Sequence, residues 1–190
     1  MADEVENSGQ TTDEQSLSEP NIYVSLTSNP LDSTTALSRV KSSKAGAVVL
    51  FAGCTRDNFN SKTVTHLSYS AYAPLALRTL LSIARSVHSS HSLVSISVTH
   101  RLGRVDIGEE SILIAVSAPH RAAAWRAGEE CLERVKEKAE IWKEEWFEDG
   151  GMWRSNRDGQ AGVPVVKEGQ DSGEHAHVDG QQQAPGRENA

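Results

Sequence analysis

The stretch "VKEKAEIWKEEW" (135–146) sets Lys136 and Lys143 seven positions apart, with Ile141 and Trp142 between them and carboxylates on both sides. Two chain paths compete for it. A helix running through would put both lysines on one face, because seven residues is close to two turns. A break near Ala139 would start a strand instead, and Lys143 would reach Lys136 only if the fold returned it there. The choice decides whether the chain ends in helix or in sheet.

Upstream, "HRAAAWRAGEECLERVKEKAE" (120–140) is rich in alanine, and Ala124, Ala127, Cys131, Leu132 and Val135 form a stripe, which predicts a helix. "APLALRTLLSIARSVHS" (73–89) opens on Pro74, and its leucines make a broad apolar face. "NPLDSTTALSRVKS" (29–42) reads as a short helix with Pro30 near its start. Strands are predicted at 21–27, 64–72, 93–103 and 110–119 from alternation, the last two joined by "RVDIGE" as neighbours. "AGAVVLFAGCT" (45–55) is a continuous apolar run, hence a strand covered on both faces, and "RDNFNSKT" (56–63) is a polar loop. With 141–150 as a last strand, the order βαββαββαβ predicts an α+β fold with a mixed or largely antiparallel sheet.

The 190 residues carry a net charge of −7, and that acidity sits at the ends. Residues 1–20 hold six carboxylates and no Lys or Arg, and 157–190 hold six carboxylates against three basic groups. The middle, 21–156, has 16 basic and 14 acidic residues. Both ends are too polar to offset the entropy of ordering, so 1–19 and 157–190 read as disordered tails around one domain, 20–156. No secretory or import signal opens the chain, and its longest apolar run is too short for a bilayer. Two cysteines offer neither a disulfide framework nor a four-cysteine zinc site. The expectation is a cytoplasmic protein without a metal, a cofactor or a membrane segment.

No phosphate loop, dinucleotide fingerprint or nucleophile elbow is present, so chemistry must come from side chains at element ends. In "GCTRDN" (53–58), Arg56 follows a strand directly and can clamp a phosphate or carboxylate, or else pair with Asp57. Cys54 beside it reads as a small strand residue, with no activating base adjacent. In "SAPHRAAAW" (117–125), His120 and Arg121 open the long helix, where cations are unfavourable unless an anion compensates them. In "THRLGRV" (99–105), His100 and Arg101 suit a strand-end hydrogen-bond network better than catalysis. Lys136 and Lys143 admit two readings: exposed, weakly paired charges, or a convergent pair that holds an anion or attacks a carbonyl carbon.

Taken in order, "GAVVLFAGCTRDN", "SYSAY", "HRLG", "SAPHRAAAW", "KEKAEIWKEE" and "MWRSN" resemble the large, catalytic subunit family of molybdopterin synthase over about 45–156. The resemblance implies an α/β hammerhead fold and a sulfurtransferase of molybdenum cofactor biosynthesis. That reaction installs the dithiolene of molybdopterin on cyclic pyranopterin monophosphate. Its sulfur comes from the C-terminal Gly-Gly thiocarboxylate of a small ubiquitin-like carrier, in a heterotetramer of two large and two small subunits. It further implies Lys136 and Lys143 as catalytic, with Cys54, Thr55, Arg56, His120, Arg121, Glu144 and Glu145 lining the substrate site. One departure stands out: Glu140 occupies a position where the family commonly has proline, which would end the helix. Two other classes remain: a non-catalytic scaffold of the same fold that binds the carrier, and a nucleic-acid binder, which the nearly balanced charge of the middle disfavours.

Overall fold

Residues 14–148, 150–155 and 163–164 are described by a computed structural model, and the chain does break after the long helix. That helix, α3 in chain order, spans Arg121–Lys138, and Ala139 beyond it is extended (φ −68°, ψ 134°). The elements before it are β1 (Gln15–Glu19), β2 (Ile22–Thr27), α1 (Ser33–Val40), β3 (Ala47–Cys54), β4 (Asn58–Phe59), β5 (Lys62–Ala71), α2 (Ala73–Ser90), β6 (Ser95–Arg101), β7 (Gly103–Asp106) and β8 (Glu110–Ala118). After it come β9 (Ile141–Phe147), β10 (Gly150–Ser155) and β11 (Val163–Pro164). The α+β expectation holds.

Two sheets share the work. The first runs β1-β2-β6-β8-β3, antiparallel throughout except for the parallel β2–β6 pair. The second runs β11-β10-β9-β5-β4, with β7 also on β5. One chain run feeds both sheets: β6 ends at Arg101 in the first, and β7 begins at Gly103 in the second. Gly103 makes the crossing with φ +75°, a conformation that glycine adopts without a Cβ penalty. The "RVDIGE" segment is therefore a strand of the other sheet as well as a connection between neighbours.

Alternation on β2, β6 and β8 sends Ile22, Val24, Leu26, Ile96, Val98, Ile112, Ile114 and Val116 to one face, under α2 and α3. Ala76, Leu77, Leu80, Ala84 and Val87 come from α2, and Ala124, Ala127, Cys131 and Val135 from α3. The small α3 residues let that helix sit close to the sheet. The other face carries a second cluster, where Ala36 and Val40 of α1 meet Leu113 and Ala115. Asp32 caps α1, accepting from the Thr34 and Thr35 amides at 2.8 and 3.2 Å, so Pro30 lies outside the helix.

Three sequence expectations need correction. β3 is an edge strand, and most of its residues are only partly buried, because β8 flanks it on one side alone. The 1–19 tail contains β1, which pairs with β2 from Glu19↔Ile22 to Gln15↔Leu26. An edge strand needs backbone partners more than apolar side chains, and Glu19 adds a bidentate pair with Arg85. Within 157–190, Val163 and Pro164 pair with Trp153 and Met152. The remainder of that tail expectation, residues 1–13 and the rest of 157–190, lies outside the described residues.

Gly46 shows how tightly β3 meets the start of α3, since a Cβ there would stand 2.5 Å from the Pro119 carbonyl oxygen. Backbone cannot yield as a side-chain tip would. Gly46→Ala is expected to destabilise the fold by about 1–3 kcal/mol, read as a lower urea midpoint. An unchanged midpoint would contradict the close approach.

Candidate active site

Where the two sheets part, a cavity of about 450 Å³ opens. β3 and β8 supply Phe51, Gly53, Cys54, Ser111 and Ile112; the 56–59 hairpin arm supplies Arg56, Asn58 and Phe59. β5 and β6 add Val64, Leu67, Tyr69 and His100, and the end of α3 adds Leu132, Val135 and Lys136. β9 closes it with Lys143 and Glu145.

The two lysines thus meet in one cavity from different elements. Lys136 stands in the last turn of α3. Lys143 faces it from β9, because strand alternation turns Ile141, Lys143, Glu145 and Phe147 inward. Glu140 does not carry the helix through. Ile141, 2% exposed, pairs with Ala71, and the ladder continues through Tyr69↔Lys143 and Leu67↔Glu145. Burial of Ile141 and this ladder hold the strand without a proline.

Lys143 Nζ lies 3.1 Å from Glu145 Oε1, with both side chains largely buried. A buried carboxylate of this kind is tolerated because an ammonium group accompanies it. Among the described lining residues, the cations Arg56, Lys136 and Lys143 accompany one carboxylate, Glu145, a balance that favours an anion. Arg56 is exposed at the rim, and Asp57 is engaged elsewhere, accepting from Asn58 Nδ2 at 2.6 Å. At the rear wall a β-bulge between Gly53 and Cys54 shifts the β3–β8 register, and Ser111 Oγ donates to the Gly53 carbonyl across it (3.2 Å). Cys54 is a free, exposed thiol on that wall.

Other expected site residues are placed differently. Glu144 points to the opposite face of β9, where it accepts from Trp146 Nε1 at 3.0 Å, and Trp146 stacks on His66. Period-two geometry cannot put Glu144 and Glu145 in the same pocket. Thr55 is buried outside the cavity lining, its backbone bonded both ways to the 108–109 turn. His120 and Arg121 are exposed at the start of α3. Fifteen residues of helix at about 1.5 Å each hold Arg121 roughly 22 Å from Lys136, so one chain does not bring them together.

His100 is the lining residue that sequence reasoning assigned only to a network. The network exists: Arg101 donates to Glu109 at 2.8 Å, and the Asp106 amide donates to the same carboxylate oxygen. Yet the His100 ring also reaches the cavity from the end of β6, edge-on to Tyr69 at 4.9 Å. Burial pushes its imidazole down to about 4, partly offset by the hydrogen bond to the Arg101 carbonyl. Alternation along "VSISVTH" already set its direction, since His100 follows Ile96 and Val98 on the core face.

Known proteins decide the family. The MoaE protein family model matches residues 26–138. The chain belongs to that family. It is 62% identical over 151 residues to the molybdopterin synthase catalytic subunit of Neurospora crassa, covering 78% of this chain and 73% of that protein. The catalytic subunit of Sclerotinia sclerotiorum is 55% identical over 168 residues, covering 85% and 86%. Among solved structures, molybdopterin synthase from Staphylococcus aureus superposes with a TM-score of 0.65 at 35% identity, over 68% of this chain and 94% of that one. The complex of subunits 1 and 2 of molybdopterin-converting factor from Helicobacter pylori shares the fold, with a TM-score of 0.56 at 22% identity over 70% and 91%. Among the described residues no helix is long and apolar enough to cross a membrane.

The buried imidazole makes stability depend on pH. An unfolded His binds a proton near 6.5, while folded His100 resists protonation down to about 4. In that window the unfolded state holds more protons, so stability falls as pH falls, by roughly 3 kcal/mol in full. His66, also lowered by burial, adds in the same direction, whereas Glu19 and Glu130, held below their usual 4.5, act only at lower pH. Urea midpoints from pH 6.5 to 4.5 are expected to fall in the wild type and to fall less in His100→Gln. Equal slopes would contradict the buried neutral ring.

Proposed function

We propose that this chain is the catalytic subunit of a molybdopterin synthase. It moves sulfur from the C-terminal thiocarboxylate of a small ubiquitin-like carrier to cyclic pyranopterin monophosphate, forming the dithiolene. The observation that carries this reading is the meeting of Lys136 and Lys143, from α3 and β9, in one cavity with Arg56 at its rim. The names of the fungal relatives support it. The carrier is supported by the two-subunit complex known for the Helicobacter pylori protein.

Each transfer forms one carbon–sulfur bond on the pterin in place of a carbon–oxygen bond there, and water cleaves the carrier's acyl–sulfur bond to leave a carboxylate, so two thiocarboxylates are used per dithiolene. Both reactants are anionic. A cavity with three cations and an apolar rear wall draws them together and stabilises negative charge that develops as the carrier's C–S bond breaks. Glu145 holds Lys143 in place for this, and Lys136 approaches from the helix side. Cytoplasmic location suits two cysteines that both remain free thiols.

His120 and Arg121 belong to the substrate's phosphate in this reading. The start of α3 has no side-chain cap, so its free N–H groups and the two cationic side chains make an anion site. At roughly 22 Å from Lys136 by helix rise, they serve the same substrate only when a second copy of the chain presents them. That fits assembly as two large and two small subunits.

The test is a reconstituted reaction with thiocarboxylated carrier and cyclic pyranopterin monophosphate, the product being read as its oxidised fluorescent derivative. Lys136→Ala and Lys143→Ala are each expected to slow turnover by about 100-fold or more, roughly 3 kcal/mol of barrier, with carrier affinity little changed. Normal turnover in either variant would remove that lysine from the chemistry. A wild type that binds carrier and makes no product would leave a scaffold. Arg121→Ala is expected to raise KM, and mixing it with Lys136→Ala chains to restore activity, since a mixed dimer holds one intact composite site. Mixtures no more active than their parents would contradict the second-copy arrangement.

A further inference from the structure

The three cations of the cavity are hydrogen-bond donors alone, so an N–H group of a ligand must find its acceptor among other lining residues, such as Asn58 and His100. Arg56, Lys136 and Lys143 only donate, Ser111 already donates to Gly53, and Glu145 faces Lys143. A phosphorylated pterin presents both kinds of edge: oxyanions and a carbonyl that the cations satisfy, and ring and amino N–H groups that they cannot.

We propose that the Nε2 of His100 accepts a hydrogen bond from an N–H of the bound pterin and so fixes which edge of the heterocycle turns inward. This rests on the molybdopterin synthase reading and extends it to substrate orientation. Four observations support it. The ring lines the cavity although the residue is only 2% exposed, so it is placed by the fold and cannot swing away. Its Nδ1 lies 2.8 Å from the Arg101 carbonyl oxygen, which can only accept; Nδ1 therefore carries the hydrogen, and the lone pair is on Nε2. Tyr69 stands edge-on to the ring at an interplanar angle of 71°, limiting its rotation.

The fourth observation is that the carbonyl which sets the tautomer is itself anchored. Leu102 donates its amide to Thr27 at 2.8 Å, and the Arg101 side chain is held by Glu109. The junction of β6 and β7 thus fixes the direction of the Nδ1 bond and, through the ring, of the Nε2 lone pair. Burial keeps the imidazole neutral at physiological pH, so the acceptor persists there. His100 is in this sense a specificity-determining residue, distinct from the lysines that meet the reacting groups.

Two variants separate this role from a structural one. His100→Leu and His100→Gln both lose the bond to Arg101, but only the glutamine can offer a carboxamide oxygen near the place of Nε2. A lost acceptor under a buried N–H is worth about 10- to 100-fold in affinity. His100→Leu is therefore expected to raise the KM for cyclic pyranopterin monophosphate by about that factor, with a smaller change in kcat and unchanged carrier affinity. His100→Gln is expected to recover most of the loss. Equal defects in the two variants, or an unchanged KM in His100→Leu, would overturn the proposal.

A measurement on the wild type avoids dependence on either variant folding. With histidine labelled by ¹⁵N, the Nε2 resonance of His100 is expected to move when the protein is saturated with cyclic pyranopterin monophosphate. An unmoved resonance in a saturated complex overturns the proposal while leaving the synthase reading intact. A wild type that neither binds nor converts this compound overturns the synthase reading, and the role of His100 falls with it.

Discussion

The site depends on where α3 stops. If the helix continued past Lys138, Lys143 would lie about 10 Å beyond Lys136 along the same axis, and the second sheet would lack the strand that joins β5 to β10. The chain leaves the helix at Ala139, buries Ile141 against the core and pairs with β5. From then on, period-two alternation decides everything. Lys143 and Glu145 turn inward opposite Tyr69 and Leu67, while Trp142 and Glu144 turn outward. One helix end and one strand register thus convert two lysines separated in sequence into a pair that shares a cavity.

Such a cavity needs rigid walls, because its polar groups have lost most of their water. Glu145 accompanies Lys143, the Arg101 carbonyl accompanies His100, and Ser111 ties the bulge of the β3–β8 ladder to the Gly53 carbonyl. Each partner comes from a strand that continues into one of the two sheets. The crossing at Gly103 makes the sheets a single unit, since β6 and β7 are one run of chain split between them. The cavity lies at that split, where strands diverge and leave space that neither sheet fills.

Much of this architecture was legible in the sequence, for local reasons. The alanine-rich stripe of α3 and the proline at the start of α2 produced helices with the expected cores, although Leu75 proved 40% exposed and Ala76, Ala84 and Val87 took its place inside. What failed was long-range. β1 carries no apolar pattern, because an edge strand is held by its neighbour's backbone. β3 is as apolar as a central strand yet lies at an edge, a fact fixed by sheet order alone. The adjacency of Glu144 and Glu145 suggested one pocket, and strand geometry separates them. His120 and Arg121 look continuous with the lysines in sequence, but the length of α3 holds them apart. His100 was visible, and its place on the core face followed from alternation; its access to a cavity required knowledge of which strands diverge.

The central claim is that an anionic substrate sits between Lys136 and Lys143. The most direct measurement is a crystal structure of the protein grown with cyclic pyranopterin monophosphate. The account requires density for the compound inside the cavity, in contact with both lysine side chains. Density elsewhere on the chain, with neither lysine touching it, would contradict the account.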